Sequence, residues 1–385
     1  QILCKLVLDG PYEELQLVAI NGMAQAFKIK FCTLPCNEAL SLYTCLLKIL
    51  NHKTPIIRQK ALECLLSMRS DRAYRLSFNG TISPYLRCHS RNLIRTISFV
   101  LPVSNLIDAL LDRVSMENDY HIFSLVITGI RDILLNFYLL KEPPVWRVCT
   151  GMCNIFKTRL DFILGDDSLA DPVKFTHKSS DDDTGGESSL SNGSSSSSSN
   201  SSNMVGVVSK QRTGCAERFI HLLTIIVGYN TDDILSLTQK QSLVECFLFI
   251  LMELYRRSHN TEHINTRLIV LLMESLTICV LEMPDVINVV FHRIVTILGH
   301  IRGMTASQDV PMKQEVVIAI LGLLHSLSSC VERKLRQTYI LQIFDLLLDF
   351  TDNQRYLGEY IPLMTYRVLM SWFIACNFAT RQKVI

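Results

Sequence analysis

The side chains with most chemical potential in this 385-residue sequence are its 13 cysteines and 10 histidines. Two thiol pairs stand four residues apart, Cys32 with Cys36 and Cys149 with Cys153, a spacing that puts both sulfurs of a pair on one face of a helix. A structural zinc site needs four ligands, and neither pair has a second pair or a His-x-x-x-His beside it; Pro35 also interrupts the first. Both pairs therefore read as core thiols. His259 and His263 share the spacing but lie in a polar connector with Ser258, Asn260 and Thr261, and Glu262-His263 does not open a metalloprotease motif. No Gly-rich run precedes Lys-Ser or Lys-Thr, Gly299 to Gly303 lacks the spacing of a dinucleotide turn, and no Ser or Cys occupies a nucleophile elbow. The residues name no catalytic group, no metal ligand and no cofactor.

One constellation could act through charge. Between Lys48 and Arg95 ten basic residues (Lys48, Lys53, Arg58, Lys60, Arg69, Arg72, Arg75, Arg87, Arg91 and Arg95) are set against only Glu63 and Asp71, although the whole chain carries a net charge of just +2. From it we take Arg58, Lys60, Arg69, Arg72, Arg75, Arg87 and Arg91 as a candidate docking patch for an acidic protein surface or anionic lipid head groups. The competing reading is the polar rim of a helical array followed by a basic loop. A net charge so close to zero supplies no global field to gather nucleic acid, so that partner class is not expected.

The elements that would carry these residues are helical. Hydrophobic residues make up 48% and charged residues 19%, mean hydropathy is +0.24, and 16 Gly with 11 Pro are too few to punctuate a many-stranded sandwich. After Pro11 and Tyr12, Leu17, Ile20, Ala24 and Phe27 recur at helical spacing, and a second run covers Glu38 to Leu50. A third starts at Pro55, suited to a first turn, with Ile57, Ala61, Cys64, Leu65 and Met68 on one face and Arg58 and Lys60 nearer the surface. Pro, an aliphatic residue, Arg and then a small Ala where helices approach is the second-helix pattern of a HEAT repeat. Further runs cover Leu93 to Val100, Ser104 to Val114, Tyr120 to Leu140, Val145 to Ile163, Ala216 to Val227, Lys240 to Arg256, Thr266 to Leu281, Asp285 to Ile301, Lys313 to Cys330, Leu335 to Phe350 and Glu359 to Asn377. Helices of this length with short connectors stack as antiparallel pairs, so the expected fold is all-α, a HEAT/armadillo-like α-solenoid.

Ser179 to Asn203 departs from this, with 13 Ser among 25 residues and Asp181-Asp182-Asp183 near its start. Such a stretch buries no apolar area, so the expected organisation is one half of a solenoid over 1–176, a disordered Ser-rich acidic loop over 177–208 and a second half over 209–385. The most apolar runs, Phe219 to Val227, Leu268 to Met283 and Val316 to Val331, are shorter than about 18 residues or broken by Glu274 or His325, so no transmembrane segment is expected. Thiols scattered through apolar runs fit a reducing, cytoplasmic setting. The opening Gln1-Ile2-Leu3-Cys4 and the close at Val384-Ile385 read as an internal piece of a longer protein.

Two blocks carry a family resemblance. Leu276 to Ile287, containing Glu282-Met283-Pro284-Asp285, continues through Gly299-His300-Ile301 to Thr305-Ala306-Ser307 and Val310-Pro311. Together with Trp372-Phe373-Ile374-Ala375-Cys376 and Arg381, it resembles the central helical region of the tuberin family. Weaker similarity covers Ile57 to Ala61 through Arg69-Ser70-Asp71, and Leu106 to Leu140 leading to Cys149 to Cys153; the polyserine tract and the connector around Ser90-Arg91 depart from it. The resemblance implies a non-enzymatic scaffold stretch of a subunit that binds hamartin, a coiled-coil protein, in a complex that activates GTP hydrolysis by the small GTPase Rheb and so restrains the TOR kinase. In the family the activating domain lies C-terminal to this region and supplies a catalytic Asn, so Rheb would be engaged outside these residues. The expected location is cytoplasmic, with peripheral attachment to lysosomal or other endomembranes allowed for. An unrelated HEAT adaptor in transport or vesicle traffic would share the helix pairs but not both blocks.

Long loops add little closure entropy. Replacing Ser179 to Asn203 with a short Gly/Ser linker is therefore expected to leave the melting temperature almost unchanged in a thermal circular-dichroism scan; a loss of many degrees would give the tract a structural role.

Overall fold

A computed structural model describes residues 2–30, 36–67, 103–137, 145–164, 199–228, 235–258, 265–307, 314–330, 337–352 and 360–384. Among them lie fifteen α-helices and no strand. The first seven are α1 (Ile2–Asp9), α2 (Glu13–Lys30), α3 (Cys36–Ile49), α4 (Pro55–Ser67), α5 (Val103–Met116), α6 (Tyr120–Phe137) and α7 (Val145–Leu164). The rest are α8 (Ser199–Gly228), α9 (Leu237–Ser258), α10 (Thr266–Glu282), α11 (Pro284–Ser307), α12 (Gln314–Cys330), α13 (Gln337–Asp352), α14 (Tyr360–Ala375) and α15 (Phe378–Val384).

The helices form two rows. In one, α2, α4, α6, α8, α10, α12 and α14 each pack on the next; in the other, α5, α7, α9, α11 and α13 do the same, with α1 on α3 at one end and α13 on α15 at the other. Successive helices pair across the rows, α1 with α2, α3 with α4, α5 with α6, α7 with α8, α9 with α10 and α13 with α14. This is the all-α solenoid of helix pairs that the periodicity predicts, and one hydrophobic core runs through it from Val7 to Cys376. In α4 the predicted face is the buried one: Ile57, Ala61 and Leu65 are all at or below 2% exposure.

Short connectors are closed by side chains. Asn265 Oδ1 accepts the Leu268 N–H at 3.3 Å to cap α10, Asp119 Oδ1 accepts from His121 and Ile122 to start α6, and Asn377 Oδ1 accepts from Thr380 to start α15. A single residue, Met283, separates α10 from α11: its N–H donates to Cys279 O at 2.9 Å, its side chain is buried, and Pro284 opens the next helix without a missing donor. Close row contacts use glycine. A Cβ on Gly129 of α6 would meet Leu66 Cδ2 of α4 at 2.6 Å, and one on Gly151 of α7 would meet Leu111 Cδ1 of α5 at 2.9 Å.

Arginines tie neighbours within a row: Arg147 of α7 pairs with Asp108 of α5 at 3.1 Å, Arg257 of α9 with Asp161 of α7, Arg293 of α11 with Glu245 of α9 at 2.9 Å, and Arg267 of α10 with Glu217 of α8 at 2.7 Å. In each the later helix supplies the guanidinium. These pairs are partly exposed, so each contributes at most about 1 kcal/mol and mainly fixes register.

α8 differs from the sequence expectation. It begins at Ser199, inside the stretch read as a loop to residue 208, whereas periodicity predicts a helix only from Ala216. Extending an existing helix adds one hydrogen bond per residue with no new nucleation, so a helix seated by Cys215, Phe219, Leu222 and Leu223 can grow backwards through poor helix formers. The remainder of the Ser-rich stretch and the run Leu93 to Val100 lie outside the described residues.

Trp372 anchors the far end. It is fully buried, its Nε1–H donates to Leu324 O of α12 at 2.9 Å, and its ring lies 6.2 Å from Phe291 of α11. Trp372→Phe removes that donor and leaves a void, and should cost about 1–3 kcal/mol. A urea titration followed by circular dichroism would read the loss as a lower midpoint; an unchanged midpoint would contradict the anchoring role.

Candidate partner-docking site

The predicted basic patch divides on folding. Arg58 is not at the surface: it is 8% exposed, donating from Nε and Nη2 to Glu117 at 3.0 and 2.7 Å and from Nη1 to the carbonyls of His52 and Lys53 at 2.9 and 2.7 Å. The correction has a physical cause. The α3–α4 turn leaves carbonyls without helical partners, a rigid five-donor fork can satisfy them, and Glu117 neutralises the charge it carries inside.

Glu117 is itself fully buried just past the end of α5. It also faces Arg113 Nε at 2.9 Å and accepts the N–H groups of Asn118 and Asp119 at 3.1 and 3.0 Å, while Arg113 Nη1 reaches Leu50 O at 3.3 Å. Burial, with Arg58 adding to it, pulls the Arg113 pKa below its ordinary value, and Glu117 pulls it back. Close by, Arg159 lies over the Phe162 ring at 4.3 Å and donates to Val114 O at 2.7 Å and to Asn118 Oδ1 at 2.9 Å, where α7 kinks at that residue (φ −126°, ψ 25°). One carboxylate thus joins α4, α5, both adjoining turns and, through its neighbours, α7. The cluster ties helices and turns to one another and so acts as a staple.

Lys60 is half-exposed and pairs with Glu63 at 3.0 Å, so one cation of the patch faces outward. Arg69, Arg72, Arg75, Arg87 and Arg91 lie outside the described residues, as do His259, His263 and Cys32. Cys149 and Cys153 are buried in the core, as their apolar setting suggests; contact with Cys153 first and then burial raise the Cys149 pKa, while in Cys153 the lowering by Cys149 is outweighed by contact with Cys246 and by burial, so that its pKa also rises. Cys45 borders a cavity of about 540 Å³ between α1 and α3, but burial first and then its contact with Cys4 push its pKa up to about 12, the reverse of a poised nucleophile. Among the described residues no group of three or more His, Cys, Asp or Glu is arranged to hold a metal ion, and no helix is long and apolar enough to cross a membrane.

The surface that charge arithmetic misses is apolar. On α14 the inward face is Ile361, Thr365, Val368 and Trp372; opposite it, Tyr360, Leu363, Tyr366, Met370 and Ile374 form a line that Phe378 of α15 extends, all between 55 and 73% exposed. The signal was present in the sequence as a helix apolar on two sides, but periodicity alone cannot say which side a neighbour covers.

Rows of paired helices held by internal staples define an all-α helical-repeat protein. The family model described as Tuberin matches residues 13–162 and 207–379, both halves of the array, and the chain belongs to the tuberin family. Among solved structures, the crystal structure of an engineered protein from the Northeast Structural Genomics Consortium aligns over 100% of this chain and 91% of its own, at 10% identity and a TM-score of 0.26.

Glu117→Gln leaves two buried guanidinium groups without their counter-charge and should destabilise the fold by about 3–5 kcal/mol, whereas Lys60→Ala should cost no more than about 1 kcal/mol. Denaturant unfolding of the two variants tests the division; equal effects would remove the distinction between staple and rim.

Proposed function

We propose that this chain is a non-catalytic scaffold stretch of a tuberin-like subunit. It offers a long helical surface on which a hamartin-like coiled-coil partner assembles, within a complex that activates GTP hydrolysis by the small GTPase Rheb and restrains TOR kinase signalling. The reading rests on membership of the tuberin family, and the observation that carries it is the two-row array of stacked helices. A solenoid holds a partner along its length because each repeat keeps its place through its neighbours. Acceleration of GTP hydrolysis needs a group placed beside the γ-phosphate. On this reading that residue is supplied by another part of the protein, and the chain works in the cytoplasm, with peripheral attachment to lysosomal or other endomembranes through its partners.

Two measurements test this. In a single-turnover assay the 385-residue chain should leave the rate of GTP hydrolysis by Rheb unchanged, and in pull-downs it should retain the hamartin coiled coil. Clear stimulation of Rheb would refute the non-catalytic reading; failure to retain the coiled coil while tuberin-length protein retains it would move the partner surface elsewhere.

A further inference from the structure

Three successive junctions of the odd row are tied in the same way. Arg147, Arg257 and Arg293 reach back from α7, α9 and α11 to Asp108, Asp161 and Glu245 on the helix before. At the next junction the pattern stops. α13 packs on α11, but its sequence from Gln337 to Asp352 holds three aspartates and no lysine or arginine. Between the two helices lies instead a cavity of about 270 Å³, whose lining includes Val295, Thr296, Gly299 and His300 of α11 with Gln342 and Asp345 of α13. The groove is interior to the array, since α9 packs on α11 on one side and α15 on α13 on the other.

The polar groups at this cavity favour a donor. Asp345 is exposed and, among the described residues, pairs with no cation. Thr296 gives its hydroxyl proton to His292 O at 2.8 Å, which leaves the lone pairs of Oγ1 to accept. Gln342 adds an amide carbonyl. A carboxylate, a hydroxyl oxygen and an amide carbonyl match a flat cation with several donors, which is the guanidinium of arginine; a lysine ammonium donates from a single point. Arg293 of α11 is already engaged by Glu245, so the chain does not fill the place from that helix. Apolar surface continues the groove in both directions: Val289, two turns before Thr296 on α11, is 51% exposed, and Leu348, one turn after Asp345 on α13, is 48% exposed. One acidic cavity set between apolar positions is the complement of an amphipathic helix with an arginine in its apolar stripe.

We propose that the α11–α13 groove is the docking site for an amphipathic helix of a partner protein, whose arginine enters the cavity and pairs with Asp345. The partner thereby supplies from outside the tie that the chain itself supplies at the three earlier junctions. The proposal holds whether or not that helix belongs to the hamartin-like partner.

The test uses the 385-residue chain and a designed probe, an alanine-based helical peptide of about 20 residues with one central arginine and leucines three and four residues to either side of it. Fluorescence anisotropy reads affinity and methyl NMR reads place. Binding should saturate and shift the methyl signals of Val295, Ile343 and Leu346, while those of Ile57 and Leu65 in α4 stay where they are. Replacing the peptide's arginine with glutamine should weaken binding at least about tenfold, and replacing it with lysine should weaken it less. Asp345→Asn should lose the same factor against the arginine peptide and nothing further against the glutamine peptide, which marks the two groups as partners. Its side chain is exposed, so helicity should hold. Gly299→Met is the second arm: a Cβ there would meet no neighbouring atom within 4 Å, so the longer side chain fills the cavity without strain and should abolish binding while the melting temperature stays in place. No saturable binding, binding without shifts at Val295, Ile343 and Leu346, or equal affinity for the arginine and glutamine peptides would each overturn the proposal. So would an Asp345→Asn or Gly299→Met chain that binds the arginine peptide as the wild type does.

Discussion

The constraint from which the architecture follows is that several helices are apolar around most of their circumference. In α12, Val316, Val317, Ile320, Leu321, Leu323, Leu324 and Leu327 are all buried, and no single neighbour can cover residues spread so widely about one axis. Such a helix needs company on at least two sides. A row supplies it: α10 covers one flank, α14 another, and water is left with the strip that carries His325, Ser328 and Ser329. The same demand explains Gly129 and Gly151, where a row neighbour approaches closely enough that a methyl group would strike leucine. It also explains a connector as short as Met283, because antiparallel helices pressed together leave little distance to span.

A packed interior of this kind decides where charge can go. Four ion pairs sit at row junctions, partly in water, where Arg147, Arg257, Arg267 and Arg293 each reach back to an acid on the preceding helix of the row. Glu117 is the exception. It is tolerated at zero exposure because it is surrounded by donors, two guanidinium groups and two backbone N–H groups, which together replace the water it has lost. Replacing such a cluster by apolar side chains of equal volume would often be neutral, so its value lies less in stability than in defining one arrangement of α4 against α5.

Much of this was legible before any coordinates, and for a definite reason. Helix periodicity is a local property, so the predicted runs at Thr266 to Leu281 and Lys313 to Cys330 differ from α10 and α12 by a single residue at one end. The face of α4 that would be buried followed from the same period. Arg58 was misplaced because a basic residue beside Pro55 looks like a solvated rim; its partner Glu117 is 59 residues away along the chain, and nothing local announces it. The start of α8 was missed because propensity gives serine a loop, while the packing of Phe219 and Leu222 further along decides how far the helix extends. The α14 face escaped notice because a two-sided apolar helix looks the same in sequence whether both sides are covered or one.

The two kinds of surface have different consequences for a partner. Exposed cations act at a distance of about a Debye length, raise the rate of encounter and weaken as salt rises; they do little to hold what they attract. An apolar line such as that on α14 acts only on contact and is indifferent to moderate salt, and a contact of this kind bears on how slowly a partner leaves. Arg367 lies within that line, so a charge and an apolar surface share one face. Because each repeat is held chiefly by its immediate neighbours, covering or exposing such a face changes the stability of the adjoining helices far more than that of the distant end. A change at α14 is therefore felt first through Trp372 and the α12 contact it makes, and α4 with its Glu117 staple stands several repeats removed from it.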